Sequence, residues 1–285
     1  MHGRKKVTID EAERIKDAQK AKKLKQLTEE CMESISNPEK IEEYITSTNS
    51  TQLLIYINDF ATLWNRHKEY VLAHTTDEVL DKELKLTFSV LQKDPKAYWA
   101  WHHRRWCAEL KENFDYLEEI KLCNRCLDYD CRNFHVWRHR RWAVSKCNDE
   151  QKLEELNYSY TKIQKNISNF SAWHYRSQLV QKENYLDELT MAKEAFWTDP
   201  NDQCGWIYYR WLLSKEEIRD NEELIQEEIE NMDELILEEP NSKYPLLAGI
   251  WLQRILKNPD ESKINEFKDK LKIMDPIRSS YYEEQ

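Results

Sequence analysis

The stretch Ala97-Tyr-Trp-Ala-Trp101-His-His-Arg-Arg-Trp106 recurs as Asn133-Phe-His-Val-Trp137-Arg-His-Arg-Arg-Trp142, and this recurrence decides the fold. Three further copies are Asp59-Phe-Ala-Thr-Leu-Trp64, Asn169-Phe-Ser-Ala-Trp173-His-Tyr-Arg176 and Asp202-Gln-Cys-Gly-Trp206-Ile-Tyr-Tyr-Arg-Trp211. The marker residues Trp64, Trp101, Trp137, Trp173 and Trp206 stand 37, 36, 36 and 33 residues apart. A degenerate sixth copy puts Leu246 at the marker position, 40 residues after Trp206. A period in this range is the signature of stacked supersecondary units, none of which buries its apolar face alone.

The columns around each marker read as the start of a helix. Pro95, Pro200 and Pro240 stand six residues before it, each after an acid, and stop the preceding helix. Asn133, Asn169, Asp202 and Ser242 stand four before it, where a short polar side chain accepts from the first free N–H groups. The basic-aromatic run after the marker places aromatics on two helix faces, as expected of a helix packed from both sides. Between these helices lie amphipathic segments marked by Leu80, Leu84 and Leu91; by Leu117, Ile120 and Leu127; and by Leu153, Leu156, Tyr160 and Ile163. Leu186, Leu189, Ala192 and Phe196 mark the next, and Ile225, Ile229, Met232 and Ile236 the last. Each unit is therefore a helical hairpin, and the predicted fold is all-α, an α-solenoid crescent of stacked hairpins. We read a single domain over 1–285. It comprises a basic helical segment over 1–48 (its helix from about Asp10 to Met32), Trp-marked hairpins over about 49–258, and a C-terminal helix and tail over 259–285. The tail after Pro276 is expected to be loosely held.

Composition agrees. Only 3 Gly and 7 Pro occur in 285 residues, where average usage supplies about 34 of the two together. That scarcity argues against a β-sandwich, a nucleotide-binding βαβ fold and long flexible linkers. Eleven Trp and 15 Tyr supply the apolar area to fold a chain that is 34% charged. With 43 basic against 53 acidic residues, the net charge of −10 makes free nucleic acid an unfavourable main partner. The longest apolar run, Leu53 to Ile57, is too short to span a bilayer, and no secretion signal is evident. Seven Cys then read as reduced thiols of an intracellular, cytoplasmic protein. The glycosylation matches at Asn49, Asn157 and Asn166 consequently carry no weight.

No catalytic signature stands in the chain: there is no Gly-rich phosphate loop, no G-x-S-x-G and no H-E-x-x-H. Cys123-Asn-Arg-Cys126, with Cys131 and His135 downstream, lies in a regular amphipathic helix and reads as structural cysteine rather than a zinc site. Acid pairs such as Glu118-Glu119 and Glu154-Glu155 read as solvated helix faces. The arginines three residues after each marker read as packing elements stacked on Trp or paired with an acid. A second reading concerns Lys96, Arg132 and Ser168, five residues before their markers. They sit at helix N-termini, whose free N–H groups favour a phosphate or diphosphate.

An Asn or Asp, an aromatic, then Trp followed by His or Arg resembles the repeat of protein prenyltransferase α subunits, over roughly Asn58 to Leu256. Asp59 to Asn65, Ser168 to Ser177, Thr198 to Gln203 and the opening Met1-His-Gly-Arg4 resemble the Rab geranylgeranyltransferase branch more than the farnesyltransferase branch. The resemblance implies an α subunit that wraps a β subunit holding zinc and lipid. The heterodimer moves geranylgeranyl from its diphosphate to C-terminal cysteines of Rab GTPases presented by an escort protein. It further implies a cation of this chain beside the departing diphosphate, with Arg132 in the slot where farnesyl-type relatives carry Lys, and Lys96 one repeat earlier. The same resemblance implies Asn169 as a third residue on that side, though helix capping explains it better, and His2 as a transient ligand to the partner's zinc. Larger family members add an immunoglobulin-like insert and leucine-rich repeats; the compact chain resembles a minimal form in which the escort protein meets the helical array itself. His67 and Lys68 replace the Arg pair in the first repeat. Two other readings are a tetratricopeptide-like scaffold, whose period is about 34, and an RNA-processing helical repeat, which would need a basic surface.

Overall fold

The computed structural model describes residues 11–285, and every regular element among them is helical. The chain forms two compact units, up to Lys146 and from Cys147 onward. The first holds α1 (Glu11–Ile35), α2 (Pro38–Thr46), α3 (Thr48–Tyr56), α4 (Ala61–Ala73), α5 (Asp77–Lys93), α6 (Tyr98–Leu110), α7 (Tyr116–Tyr129) and α8 (Phe134–Ser145). The second holds α9 (Asp149–Lys165), α10 (Phe170–Arg176), α11 (Tyr185–Thr198), α12 (Gln203–Leu213), α13 (Glu216–Arg219), α14 (Glu222–Glu238), α15 (Lys243–Ile255), α16 (Glu261–Met274) and α17 (Ser279–Glu284). Hairpins α5–α6 and α7–α8 in the first unit, and α9–α10, α11–α12 and α14–α15 in the second, are the predicted repeats. Within each unit the marker helices touch one another, α4 to α6 to α8 and α10 to α12 to α15. Two helical layers result, one of marker helices and one of intervening helices.

The reason for tryptophan at the marker is a hydrogen bond as well as bulk. In all five copies the indole N–H donates to the carbonyl six residues earlier: Trp64 to Asn58, Trp101 to Pro95, Trp137 to Cys131, Trp173 to Ile167 and Trp206 to Pro200, at 2.7–3.0 Å. The ring buries almost entirely, while its one polar atom satisfies a loop carbonyl that no helix can reach. Within each unit the ring packs, tilted by 42–48°, against the residue two after the next marker: Trp64 on His103 at 5.0 Å, Trp101 on His139 at 4.7 Å and Trp173 on Tyr208 at 4.9 Å. Leu246 fills the degenerate sixth position at 3% exposure.

The caps are mostly as predicted. Asn133 accepts from the N–H groups of His135 and Val136, Asn169 from Ala172 and Asp202 from Cys204. Ser242 departs from the pattern: its hydroxyl makes no cap and instead donates to the Pro200 carbonyl at 2.8 Å, joining two repeats. Asn133 does both, donating its amide to Pro95 O at 2.8 Å. At Gly249 a Cβ would lie 2.6 Å from the Phe267 ring, so the missing side chain lets α15 and α16 approach.

Two expectations fail. The segment after Pro276 is not loose, because it forms a short 3₁₀ turn and α17, with Tyr282 buried at 1% and its hydroxyl 3.0 Å from Asp275. The intervening helices also bury more than an apolar stripe. Leu117, Leu153 and Leu186 are exposed at 44, 69 and 56%, whereas Glu119 and Glu155 are buried at 2 and 4%. Their sequence neighbours Glu118 and Glu154 do face solvent, so each acid pair straddles the boundary of a helix face. The N-terminal helix runs to Ile35, three residues past its expected end.

Candidate functional site

Two polar systems grow out of the repeat, one buried and one at the surface. The buried one is a ladder of carboxylates contributed by the intervening helices at Glu83, Glu119, Glu155, Glu188 and Glu228, all under 7% exposed. Glu83 takes His67 Nδ1 at 2.9 Å and His103 Nε2 at 2.7 Å. Glu119 takes the Arg104 fork at 2.6 Å through both nitrogens, and His139 Nε2 at 2.6 Å. Glu188 takes the Arg176 fork at 2.6 Å and the Tyr208 hydroxyl at 2.7 Å. One partner stands three residues after a marker and the other two residues after the next, so each acid ties two successive marker helices together. The arginines three after the marker are thus the packing elements the sequence suggested.

Burial alone would push the Glu83 and Glu119 carboxyls up. The hydrogen bonds from His103 and His67, and from His139 and Arg104, outweigh it and hold both at about 2. Burial pushes His103 and His139 downward, toward neutral rings that donate a single N–H to the acid. His103 Nδ1 accordingly has no hydrogen-bond partner among the described residues, as suits the unprotonated nitrogen of a neutral ring. The ladder is an architectural device: Ser50, His67, Glu83 and His103 form a hydrogen-bonded chain, and every member is under 7% exposed.

The surface system lies in the first unit, at the starts of α6 and α8. Lys96 is exposed, and its Nζ meets Asp130 Oδ2 at 3.1 Å. The Arg132 backbone N–H donates to Asp130 Oδ1 at 3.1 Å, the same turn that Asp94 makes with the Lys96 N–H at 2.9 Å. Two of the residues singled out in the sequence are therefore brought together around one carboxylate. Burial would raise Asp130, but the Lys96 ammonium and the Arg132 N–H hold it below the ordinary carboxylate range. Asn169, in the second unit, is 1% exposed and engaged in its cap. His2 lies outside the described residues. Beside Lys96 begins a groove between α6 and α8 of about 310 Å³, walled by Tyr98, Trp101 and Trp106 and edged by His102, Arg105, His135 and Arg138.

The cysteines do not gather. Cys123 is buried, Cys126 and Cys131 are half-buried, and the described residues hold no group of three or more His, Cys, Asp or Glu placed to bind a metal. Burial, first, pushes the Cys123 thiol up, the state of an inert core cysteine. No helix of the described residues is long and apolar enough to cross a membrane.

The buried acids escape a sequence reading because a charged residue on an amphipathic helix reads as solvated. Their spacing of 36, 36 and 33 residues from Glu83 to Glu188 matches the marker period, and that coincidence was the available clue.

Comparison with known proteins places these features in a family. Residues 80–110, 116–147, 153–183 and 185–216 match the protein prenyltransferase alpha subunit repeat. A geranylgeranyl transferase type-2 subunit alpha of Dictyostelium discoideum is 30% identical over 99% of this chain and 98% of its own length. The Rattus norvegicus protein of the same name is 36% identical over 77% of this chain, which spans only 43% of that relative. Among solved structures, a chain of Candida albicans protein geranylgeranyltransferase-I complexed with GGPP superposes with a TM-score of 0.62 at 24% identity, covering 84% of this chain and 83% of that one. That likeness speaks to the fold.

Proposed function

Because this chain belongs to the protein prenyltransferase α-subunit family, we propose that it is the α subunit of a heterodimeric Rab geranylgeranyltransferase. In this reading it scaffolds a β subunit, and the heterodimer transfers geranylgeranyl from geranylgeranyl diphosphate to C-terminal cysteines of Rab GTPases presented by an escort protein. Zinc, held by the β subunit in this family, supplies acidification of the substrate thiol; the described residues of this chain include no ligand cluster for it. The observation that carries the reading is the meeting of Lys96 and Arg132 at Asp130, on the edge where two helix N-termini begin.

The chemistry assigned to that edge is stabilisation of a leaving group. As the bond to the lipid C1 breaks, negative charge grows on the diphosphate, and fixed cations that are already in place lower the barrier. Lys96 is parked on Asp130 until an anion arrives. A diphosphate, carrying more charge than one carboxylate, takes over the ammonium while Asp130 keeps the Arg132 N–H. Arg132 offers a planar fork where a lysine would offer a point charge, so its geometry suits two oxygens at once.

Transfer assays with the chain alone, with β subunit, and with β subunit, escort protein and Rab test the proposal. Activity is expected only in the complete mixture. Lys96→Ala and Arg132→Ala should lower the transfer rate about 10- to 100-fold with heterodimer yield retained. Equal loss of rate and yield would make them architectural, and absence of any complex with β subunit would overturn the assignment.

A further inference from the structure

We propose that the α6–α8 groove is a docking pocket for an acidic side chain of the β subunit, an inference that rests on the heterodimer proposed above. Its charge is unbalanced. Glu109 is its one acid, and that carboxylate is committed to Arg105 at 2.9 Å and to the Trp142 indole N–H at 2.8 Å. Lys68, from α4, adds a further cation: its Nζ lies 3.3 Å from His102 Nε2 and 5.4 Å from the Trp106 ring centre. Among the described residues no carboxylate comes within ion-pairing distance of Lys68 or Arg138.

The imidazoles report the same field. Burial, then Lys68, Arg105 and Arg138, lowers His102; burial, then Arg138, lowers His135. An entering carboxylate would offset that field. The walls favour a protein side chain over a free polyanion. Tyr98, Trp101 and Trp106 line a space of about 310 Å³, enough for one acidic residue and an apolar neighbour. A net charge of −10 repels extended polyanions from the chain as a whole. The groove also adjoins the edge assigned to the diphosphate, since Tyr98 opens α6 two residues after Lys96. A partner that brings lipid diphosphate to that edge covers the groove as well. The pocket is local to these repeats: counted from the markers, the positions of His102, Arg105 and Arg138 are held in the second unit by His174, Ser177 and Ile207.

The test is heterodimer affinity measured between 0.05 and 0.5 M salt, with full chains. Combined Lys68→Glu and Arg138→Glu should weaken association about 30-fold or more at low salt and flatten its salt dependence. Arg138→Lys should stay within about threefold of the parent, and so should Lys96→Ala, which lies outside the groove. Unchanged melting of the isolated double variant shows that it folds; should it fail, Arg138→Gln alone, at an exposed position, replaces it. A zero-length carbodiimide cross-link from Lys68 to an Asp or Glu of the β subunit would identify the occupant. Parent-like affinity and salt dependence in the double variant overturns the pocket and leaves the heterodimer standing. Failure of the parent chain to bind a β subunit removes both.

Discussion

The buried glutamates of the first unit are held by histidine and arginine, those of the second by tyrosine, arginine and lysine. Glu83 sits between two imidazoles and Glu119 between a guanidinium and an imidazole. Glu155 accepts from the Tyr175 hydroxyl, Glu188 from Arg176 and Tyr208, and Glu228 from Lys193 and the Tyr209 hydroxyl. The arrangement recurs in both units, with donors two and three residues after a marker, joined at Glu228 by Lys193 of α11. What the repeat requires at these positions is a donor of the right reach, and the sign of its charge is secondary. This explains how an acidic chain can bury a carboxylate in every hairpin: the penalty for an unpaired buried charge is avoided by geometry, and the donor type is free to drift.

The largest expected effect breaks that equivalence or confirms it. Glu119→Ala leaves Arg104 and His139 buried without an acid, and Glu188→Ala does the same to Arg176 and Tyr208. Each should cost about 3–5 kcal/mol in urea denaturation. A large loss at one and a small loss at the other would show that donor type does matter.

An intermediate effect separates the units by pH. Glu83 and Glu119 are held at about 2, below their unfolded value, so their contribution is present above about pH 5 and is lost as pH falls toward 2. Burial, reinforced by Glu188 and Glu228, pushes the Tyr208 and Tyr209 hydroxyls upward. Their contribution is present below about pH 10, the unfolded tyrosine value, and is lost as pH rises beyond it. Hydrogen exchange should therefore show the helices around Glu83 and Glu119 opening as pH falls toward 2, and α12 opening as pH rises beyond about 10. Protection of both regions unchanged at these extremes would contradict the comparison.

The smallest effect tests what the units share. Trp137→Phe and Trp206→Phe keep most of the ring area and delete one indole hydrogen bond, at about 1 kcal/mol each. A shift of roughly 2–4 °C in melting temperature is expected for either, alike in the two units.

Much of this molecule was legible before its structure. The marker tryptophans, their period and the acid-Pro stops are local signals, set by which residues cap, terminate or bury on a helix of 3.6 residues per turn, and all five hairpins followed from them. Asn133, Asn169 and Asp202 cap as their residue types demand; Ser242 does not, because a carbonyl 42 residues away competes for its hydroxyl. The tail after Pro276 was misread for a similar reason, since Tyr282 owes its burial to α15 and α16 and to nothing in its own neighbourhood.

For the site the division is sharper. Residue type alone pointed to Lys96 and Arg132, as cations at helix starts. That Lys96 reaches Asp130, that Arg104 and His139 hold Glu119 buried while Glu118 is solvated, and that Lys68 reaches the groove of α6 and α8 are pairings across 15 to 38 residues. Helix periodicity records which face a residue occupies but not what stands opposite it. The partner across the interface is chosen by how hairpins stack, and stacking exists only in the folded chain.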